Sequence, residues 1–466
     1  MEPPTNHMDR LTAIDASFLS NENENSHMHI GAMLIFEGPP PAYEDFVDHV
    51  ETRLPFVPRY RQKLVYPPIE TGRPLWVDDT SFNLSFHMRH TALPSPGGEK
   101  ELVALANRIF SQSLDRTKPL WEMWLVQELE NDRFAVLIKS HHAMIDGISG
   151  VDIGTVLFDV TADADPIQHT EKWSPRPEPS SLSLLRQGVG ELASVPVGLA
   201  ERAVGAFRNP QNVLDRVGEG AEGLAEVARA FADSAPDVPM NVEIGPHRRI
   251  ALARADLADF RVVKDAFGTT VNDVVLAVVA GSVRNWLIRR DVDVEGLELR
   301  AMVPVSVRGE DEHGQLGNRL ATMRAPLPVY EPDPVQRLLI VSAAMDGLKQ
   351  SKQALGAEVI ARLNDFAPPT LLAQAARLTL PTRLFNLLVT NVPGPQMPLY
   401  VLGHKLEETF PVAFLAKNHA LAVGVMSYNG QFNFGFLGDY DAMPDLKDIS
   451  SGIRVALDEL LEAAKD

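Results

Sequence analysis

Between Phe134 and Gly150 the chain reads FAVLIKSHHAMIDGISG, an apolar run that stops at two adjacent histidines and is followed by Asp146 and Gly147. Phe134 to Ile138 is aromatic and β-branched, which predicts a buried strand, and the turn Glu130-Asn131-Asp132 before it allows pairing with an earlier strand. His141 and His142 then fall at a strand end, where a rigid scaffold displays chemistry, and imidazole is the side chain that titrates closest to neutrality. His142 is the candidate general base and His141 a supporting residue. Asp146 follows closely enough to hold the base in one tautomer or to brace its loop, and Gly147 suits a turn that needs positive φ or a close backbone approach. A purely structural histidine pair is the competing reading. A metal centre fits poorly, because adjacent strand residues point to opposite faces and no third His or Cys lies nearby.

A chain of 466 residues is too long for one ordinary core and implies two domains. Its 43 Lys+Arg against 62 Asp+Glu give a net charge of −19, which argues against nucleic acid and against electrostatic attachment to anionic lipid. Any membrane contact must then be hydrophobic. The absence of cysteine excludes structural disulfides, Cys-ligated metals and a Cys-bound acyl intermediate. The opening residues MEPPTNHMDRL have no apolar core and no long apolar run follows, so an intracellular, cytoplasmic protein is expected.

Along the chain, an apolar segment over 11–19 precedes a polar loop and a strand over 30–36, and helical spacing recurs over 43–54 and 102–110. Pro119-Leu120-Trp121 opens a strand running to Leu129, with Trp121 divided between a core role and a tunnel-lining role. Composition turns Pro-, Ser- and charge-rich after Asp159. The expected division is 1–165, a linker with helices over 166–240, and 241–466. In the linker, Leu185, Val189, Leu192, Leu199, Ala203 and Ala206 form an apolar stripe, read either as a helix lying on a domain or as an interfacial helix docking on a membrane or lipid surface. The second half predicts a strand over 250–253, a helix over 257–267, and a buried helix over 271–287 capped by Thr270, with Asn272 and Asp273 in its first turn. Alternation from Leu297 to Val307 predicts a half-buried strand ending near Arg308. A helix begins at Pro334, a strand leads into the turn Asn391-Val392-Pro393-Gly394-Pro395, and Asn429-Gly430 marks a hairpin ahead of a last helix over 446–461.

The HHxxxDG string of His141 to Gly147 resembles the active-site motif of the acyl-CoA-dependent acyltransferase superfamily that includes chloramphenicol acetyltransferase and peptide-synthetase condensation domains. Pro119-Leu120-Trp121, the segment MVPVSVR and the NVPGP turn, in that order and supported by Asn272-Asp273, resemble the bacterial wax ester synthase/diacylglycerol acyltransferase family. The resemblance spans Pro119 to Pro395.

It implies an α/β fold of two pseudo-symmetric chloramphenicol acetyltransferase-like domains with a central channel and His142 near its middle. It further implies an acyl-CoA co-substrate, diacylglycerol or a long-chain alcohol as acceptor, no resident cofactor and no metal. Asn272 becomes a candidate donor to substrate beside Asp273, Arg308 a candidate partner of Asp146, and Asn391 a structural support. For the phosphates of CoA, Arg248, Arg249 and Arg319 are the available cations. Two rival readings stay open: a condensation-type enzyme using carrier-bound acyl groups, and a non-catalytic lipid-binding protein of the same fold.

Overall fold

The computed structural model describes residues 9–68, 73–144, 153–165, 167, 173–180, 182–185, 234–306, 320–350 and 384–465. Its strands in chain order are β1 (Asp9–Arg10), β2 (His29–Phe36), β3 (Gln62–Val65), β4 (Leu75–Asp78), β5 (Met88–Ala92), β6 (Trp121–Leu129), β7 (Arg133–His141) and β8 (Arg248–Asp256). They continue with β9 (Leu299–Ser306), β10 (Leu320–Leu327), β11 (Leu387–Pro393), β12 (Tyr400–Val401), β13 (His404–Val412), β14 (Leu421–Tyr428) and β15 (Gln431–Asp439). Two six-stranded sheets dominate, ordered β12-β13-β2-β7-β6-β5 and β10-β9-β11-β14-β15-β8, and β1, β4 and β3 form a small third sheet.

The first sheet is built around the histidine strand. β6 and β7 form the expected hairpin, with Asn131 and Asp132 left-handed in its turn. β7 is buried along almost its whole length because β2 and β6 flank it on both edges. Lys139 sits inside this strand, fully buried, and its ammonium donates to the carbonyls of Ile109 (2.8 Å) and Gln112 (3.0 Å) while pairing with Glu122. Those carbonyls lie in and just past the last turn of the helix Glu99–Phe110, so the cation sits at the negative end of a helix dipole. The helix is thereby pinned to the strand that carries the histidines.

The second sheet wraps a long apolar helix. Val271–Arg289 starts at Thr270, whose hydroxyl accepts from Asp273 N–H while the Asp273 carboxylate accepts from Thr270 N–H at 2.9 Å, a reciprocal capping box. Among the described residues it alone is long and apolar enough to cross a bilayer, but 72% of its apolar window is buried inside the protein, which makes it a core helix. The last helix, Leu446–Ala463, packs on it through Gly452, where a Cβ would fall 2.5 Å from Ser282 Oγ. The hairpin β14–β15 turns at Asn429-Gly430, both with positive φ, and Phe432, Phe434 and Phe436 are all buried.

Sheet membership does not follow the sequence division at 241, because β12 and β13 come from the second half and join the first sheet beside β2. β13 also crosses over the second sheet. Gly424 and Gly435 face each other on β14 and β15, and a Cβ on either would meet the carbonyl oxygen of Pro411, at 3.0 Å from Gly424 and closer still from Gly435. Edge strand β8 is tied back to the first half by Ile250 N–H to Asn107 Oδ1 (2.7 Å) and Arg248 N–H to Ser111 Oγ (2.8 Å). The predicted linker helices, apart from 182–185, and the helical stretch expected after 350 lie outside the described residues.

Replacing Gly435 by Ala forces the sheets apart at this contact and is expected to destabilise by roughly 1–3 kcal/mol, as overpacking of a filled core does. Gly347, exposed in the helix Pro334–Gln350 with nothing within 4 Å of an added Cβ, supplies the opposite control. Gly347→Ala is expected to stabilise by about 0.4–1 kcal/mol through the unfolded chain. Thermal midpoints of the two purified variants, one below and one at or above the parent, check the pair.

Candidate active site

The site is assembled from three chain segments that meet at the end of β7. His141 is the last residue of the strand, and its N–H donates to the carbonyl of Leu120 at 2.9 Å. A single turn of 3₁₀ helix follows, His142–Met144, whose first N–H donates to the carbonyl of Met28 at 2.9 Å. Met28 adopts positive φ (50°), an unusual conformation for a side-chain-bearing residue outside glycine. The second segment is α1 (Ala13–Asn21), which lays Phe18 flat on the His142 ring with centroids 3.9 Å apart. The third is the chain just beyond β13, which brings Phe414 edge-on to the same ring at 5.7 Å.

These aromatics decide the state of the imidazole. Burial pushes His142 down from 6.5 to about 4, because the charged form loses its water against two apolar rings. Near neutral pH the ring is therefore an uncharged base, the form that can take a proton. Its Nδ1 is buried without a hydrogen-bond partner among the described residues. His141 is fixed differently: its Nδ1 accepts the Ala143 N–H at 3.0 Å, so its ring proton resides on Nε2, which lies 3.5 Å from Glu22 Oε2.

The other residues singled out from the sequence fall in distinct places. Asp146, Gly147, Arg308 and Arg319 lie outside the described residues. Pro119, Leu120 and Trp121 are buried. The Trp121 ring is 1% exposed, stacks on His87 at 4.7 Å and donates from Nε1 to the carbonyl of Tyr60 at 2.8 Å. With its ring packed and its only donor engaged, it serves the core, and Leu120 reaches the site through its carbonyl rather than its side chain. Asp273, grouped with Asn272 as a substrate-binding or oxyanion candidate, sits in the cap of its helix. Its buried carboxylate accepts from the Thr270 N–H and from Ser342 Oγ (3.1 Å) at Oδ2, and Oδ1 is buried without a hydrogen-bond partner among the described residues. Asn272 is partly exposed and receives a long contact from Asn391 Nδ2 at 3.4 Å, which couples the helix start to the end of β11.

Of the cations named for CoA, the two that are described, Arg248 and Arg249, have other partners. Arg248 is buried, and its guanidinium donates to the carbonyls of Gly245, His247 and Asn25. Arg249 lies over the Tyr440 ring at 4.1 Å and donates to the Tyr440 carbonyl. Among the described residues no group of three or more His, Asp or Glu side chains is arranged to hold a metal ion.

Sequence reasoning missed Phe18, Phe414, Glu22 and Met28. Phe18 read as one more residue of a short apolar segment, Glu22 as part of a polar loop, and nothing local in the sequence marks the segment that carries Phe414.

Comparison with known proteins bears on the same residues. Residues 11–275 match the wax ester synthase/diacylglycerol acyltransferase catalytic domain family, and residues 316–461 match the corresponding C-terminal domain family. A Mycobacterium tuberculosis protein named as the probable diacylglycerol O-acyltransferase tgs1 is 33% identical, over 98% of this chain and 97% of its own length. The solved wax ester synthase/diacylglycerol acyltransferase of Marinobacter aquaeolei VT8 superposes with a TM-score of 0.70 at 28% identity, covering 98% of this chain and 100% of that one. The starter condensation domain of rhizomide synthetase, at 14% identity and a TM-score of 0.60 over 99% of this chain and 95% of that one, shares the fold.

If the two phenylalanines keep His142 neutral, opening one face to water must raise its pKa. Phe18→Ala is expected to move the acid limb of kcat/KM upward from near pH 4 toward the ordinary histidine value of 6.5, whatever happens to the plateau. A pH–rate profile with an unmoved limb would assign the shift to some other part of the site.

Proposed function

The chain belongs to the wax ester synthase/diacylglycerol acyltransferase family, and from that premise we propose that it transfers a fatty acyl group from acyl-CoA to the free hydroxyl of diacylglycerol, with long-chain alcohols as the second acceptor class. The observation that carries the reading is the uncharged, aromatic-flanked His142 at the end of a rigid, doubly flanked strand. Acyl transfer to an alcohol needs a base that removes one proton and returns it. His142 takes the hydroxyl proton as the oxygen attacks the thioester carbonyl, and the carbon–sulfur bond breaks as the imidazolium protonates the departing CoA sulfur. The proton account closes within one turnover, so the reaction as written needs no covalent enzyme intermediate and no cofactor.

Charge develops on the carbonyl oxygen during attack and requires a donor. The Asn272 amide, in the first turn of its helix, has a donor of the right chemistry, and the backbone around Gly147 supplies the other candidate. Asp146 and Arg308 are proposed to brace the loop after the base, as their family positions suggest. Both substrates are lipidic, and a net charge of −19 gives no electrostatic attraction to anionic lipid. Contact of a cytoplasmic enzyme with a membrane or lipid inclusion is therefore proposed to be apolar alone.

The test uses purified protein and His142→Ala with palmitoyl-CoA and either dioleoylglycerol or hexadecanol, following free thiol and separating the lipid products. The parent is expected to form triacylglycerol, wax ester or both, and the variant to lose about 10²–10⁴-fold in rate while keeping its circular dichroism spectrum. Equal thiol release by a folded His142→Ala variant would remove the base from the mechanism. No release by the parent with either alcohol would count against the acyl-CoA reading itself.

A further inference from the structure

Beneath the catalytic turn lies a set of charged and polar side chains that the reaction does not touch. Glu22 follows α1, and its side chain is only 10% exposed. Arg116 reaches it from the loop before β6, at 2.6 Å from Oε2, and the same guanidinium donates to the carbonyl of Leu19 at 2.8 Å. The carboxylate faces His141 Nε2 at 3.5 Å and His29 Nε2 at 3.9 Å. His141 Nε2 has no hydrogen-bond partner among the described residues, and Glu22 is the acceptor that faces the proton this tautomer must carry.

Two consequences converge on Glu22. The Ala143 N–H can donate to His141 Nδ1 only while that nitrogen is unprotonated, and this bond closes the turn on which His142 stands. A carboxylate opposite Nε2 selects the required tautomer, as a third group orients the base in nucleophile–base–orienter arrangements. Glu22 also ends the helix that carries Phe18, and its own N–H donates to the Phe18 carbonyl at 3.1 Å. The carboxylate thus acts on the turn under the base and on the aromatic ring lying over it.

We propose that Glu22, clamped by Arg116, is a positioning residue for His142: it holds His141 in the Nε2-protonated tautomer and fixes α1 against the catalytic turn. The proposal rests on His142 as the base. It differs from an ordinary ion pair in where its effect falls. Arg116 is 42% exposed, so its pairing with Glu22 is expected to add little to stability, whereas a misplaced base costs up to about 10²-fold in rate.

The experiment compares Glu22→Gln and Glu22→Leu in the full chain. Gln keeps an acceptor for the His141 Nε2–H and is expected to stay within roughly threefold of the parent, while Leu removes it and is expected to lower kcat roughly 10–100-fold with KM for palmitoyl-CoA little changed. In parallel, ¹⁵N-histidine spectra, with the His141 signals assigned by their loss in His141→Gln, read the tautomer directly. The parent and Glu22→Gln should show protonated Nε2 and bare Nδ1, and Glu22→Leu a mixture. A Leu variant with unchanged kcat, a kcat loss equal in Gln and Leu, or a parent His141 protonated on Nδ1 would each overturn the proposal. Should the parent release no CoA, the tautomer spectra still decide on the clamp, so failure of the functional reading is told apart from failure of this one.

Discussion

The carbonyl of Pro411 rests on a pair of facing glycines, and the geometry of the candidate site depends on that contact. Gly424 and Gly435 remove two Cβ atoms from the middle of β14 and β15, which lets β13 lie on the second sheet at backbone distance at Pro411 while it stays paired with β2 in the first. Glycine ordinarily weakens a strand, and here its absence of side chain is what permits a strand of one sheet to pack on the other at backbone distance. The chain leaves β13 at Val412 and reaches Phe414 immediately, edge-on to His142. A looser contact would therefore move one wall of the base. The edge-strand ties from Asn107 and Ser111 to β8 hold the same two halves at a second place, so the aromatic pair around His142 is set from both sides of the molecule.

Holding an imidazole neutral by burial carries a cost that the fold must absorb. His142 and His87 are each pushed to about 4, in both cases first by loss of water, and His29 goes well below its ordinary value for the same reason. The His87 case is set by its place between Phe82 and Trp121, with Nδ1 held by the Trp121 carbonyl. For His142 and His87 the unfolded chain takes up a proton near 6.5 while the folded chain resists until about 4. The unfolded state thus binds more protons across that window, and stability present above it is lost as the pH falls through it. The burial that keeps His142 uncharged well below the ordinary histidine range also makes the fold sensitive to acid. Lys139 meets the same problem in another way: it stays beside Glu122 and two helix-terminal carbonyls that offset its desolvation.

Local signals in the sequence carried most of the fold. The β6–β7 hairpin, the Thr270 cap and the Asn429-Gly430 turn are each specified by neighbouring residues, and periodicity places the strands around them. The histidine pair at a strand end was legible for the same reason. β13 was not, because HKLEETFPV mixes charges and a proline with its apolar positions, and the strand it pairs with, β2, lies far away in the chain. The walls of the site were hidden by the same kind of distance. Phe18 and Phe414 acquire a role only when α1 and the end of β13 converge on His142, and Glu22 only when α1 brings a loop carboxylate under His141. Trp121 shows the converse: a residue marked by its motif turns out to be held by Tyr60 and His87 in the core.

The fold does not by itself choose the acceptor, since a condensation domain with 14% identity shares it. The choice in the proposed reaction must come from what surrounds the base. A thioester exposed to a neutral histidine and water would hydrolyse, and the base does not distinguish a water proton from an alcohol proton. Discrimination has to be exerted by access. Phe18 covers one face of the His142 ring and Phe414 presents its edge to it, so the approaches left open are bounded by apolar surface on two sides. A hydroxyl borne on a long hydrocarbon gains from burying that chain against such walls, whereas water gains nothing from them. In the proposed reaction, the aromatic pair that keeps His142 uncharged would then also favour lipid alcohols over water.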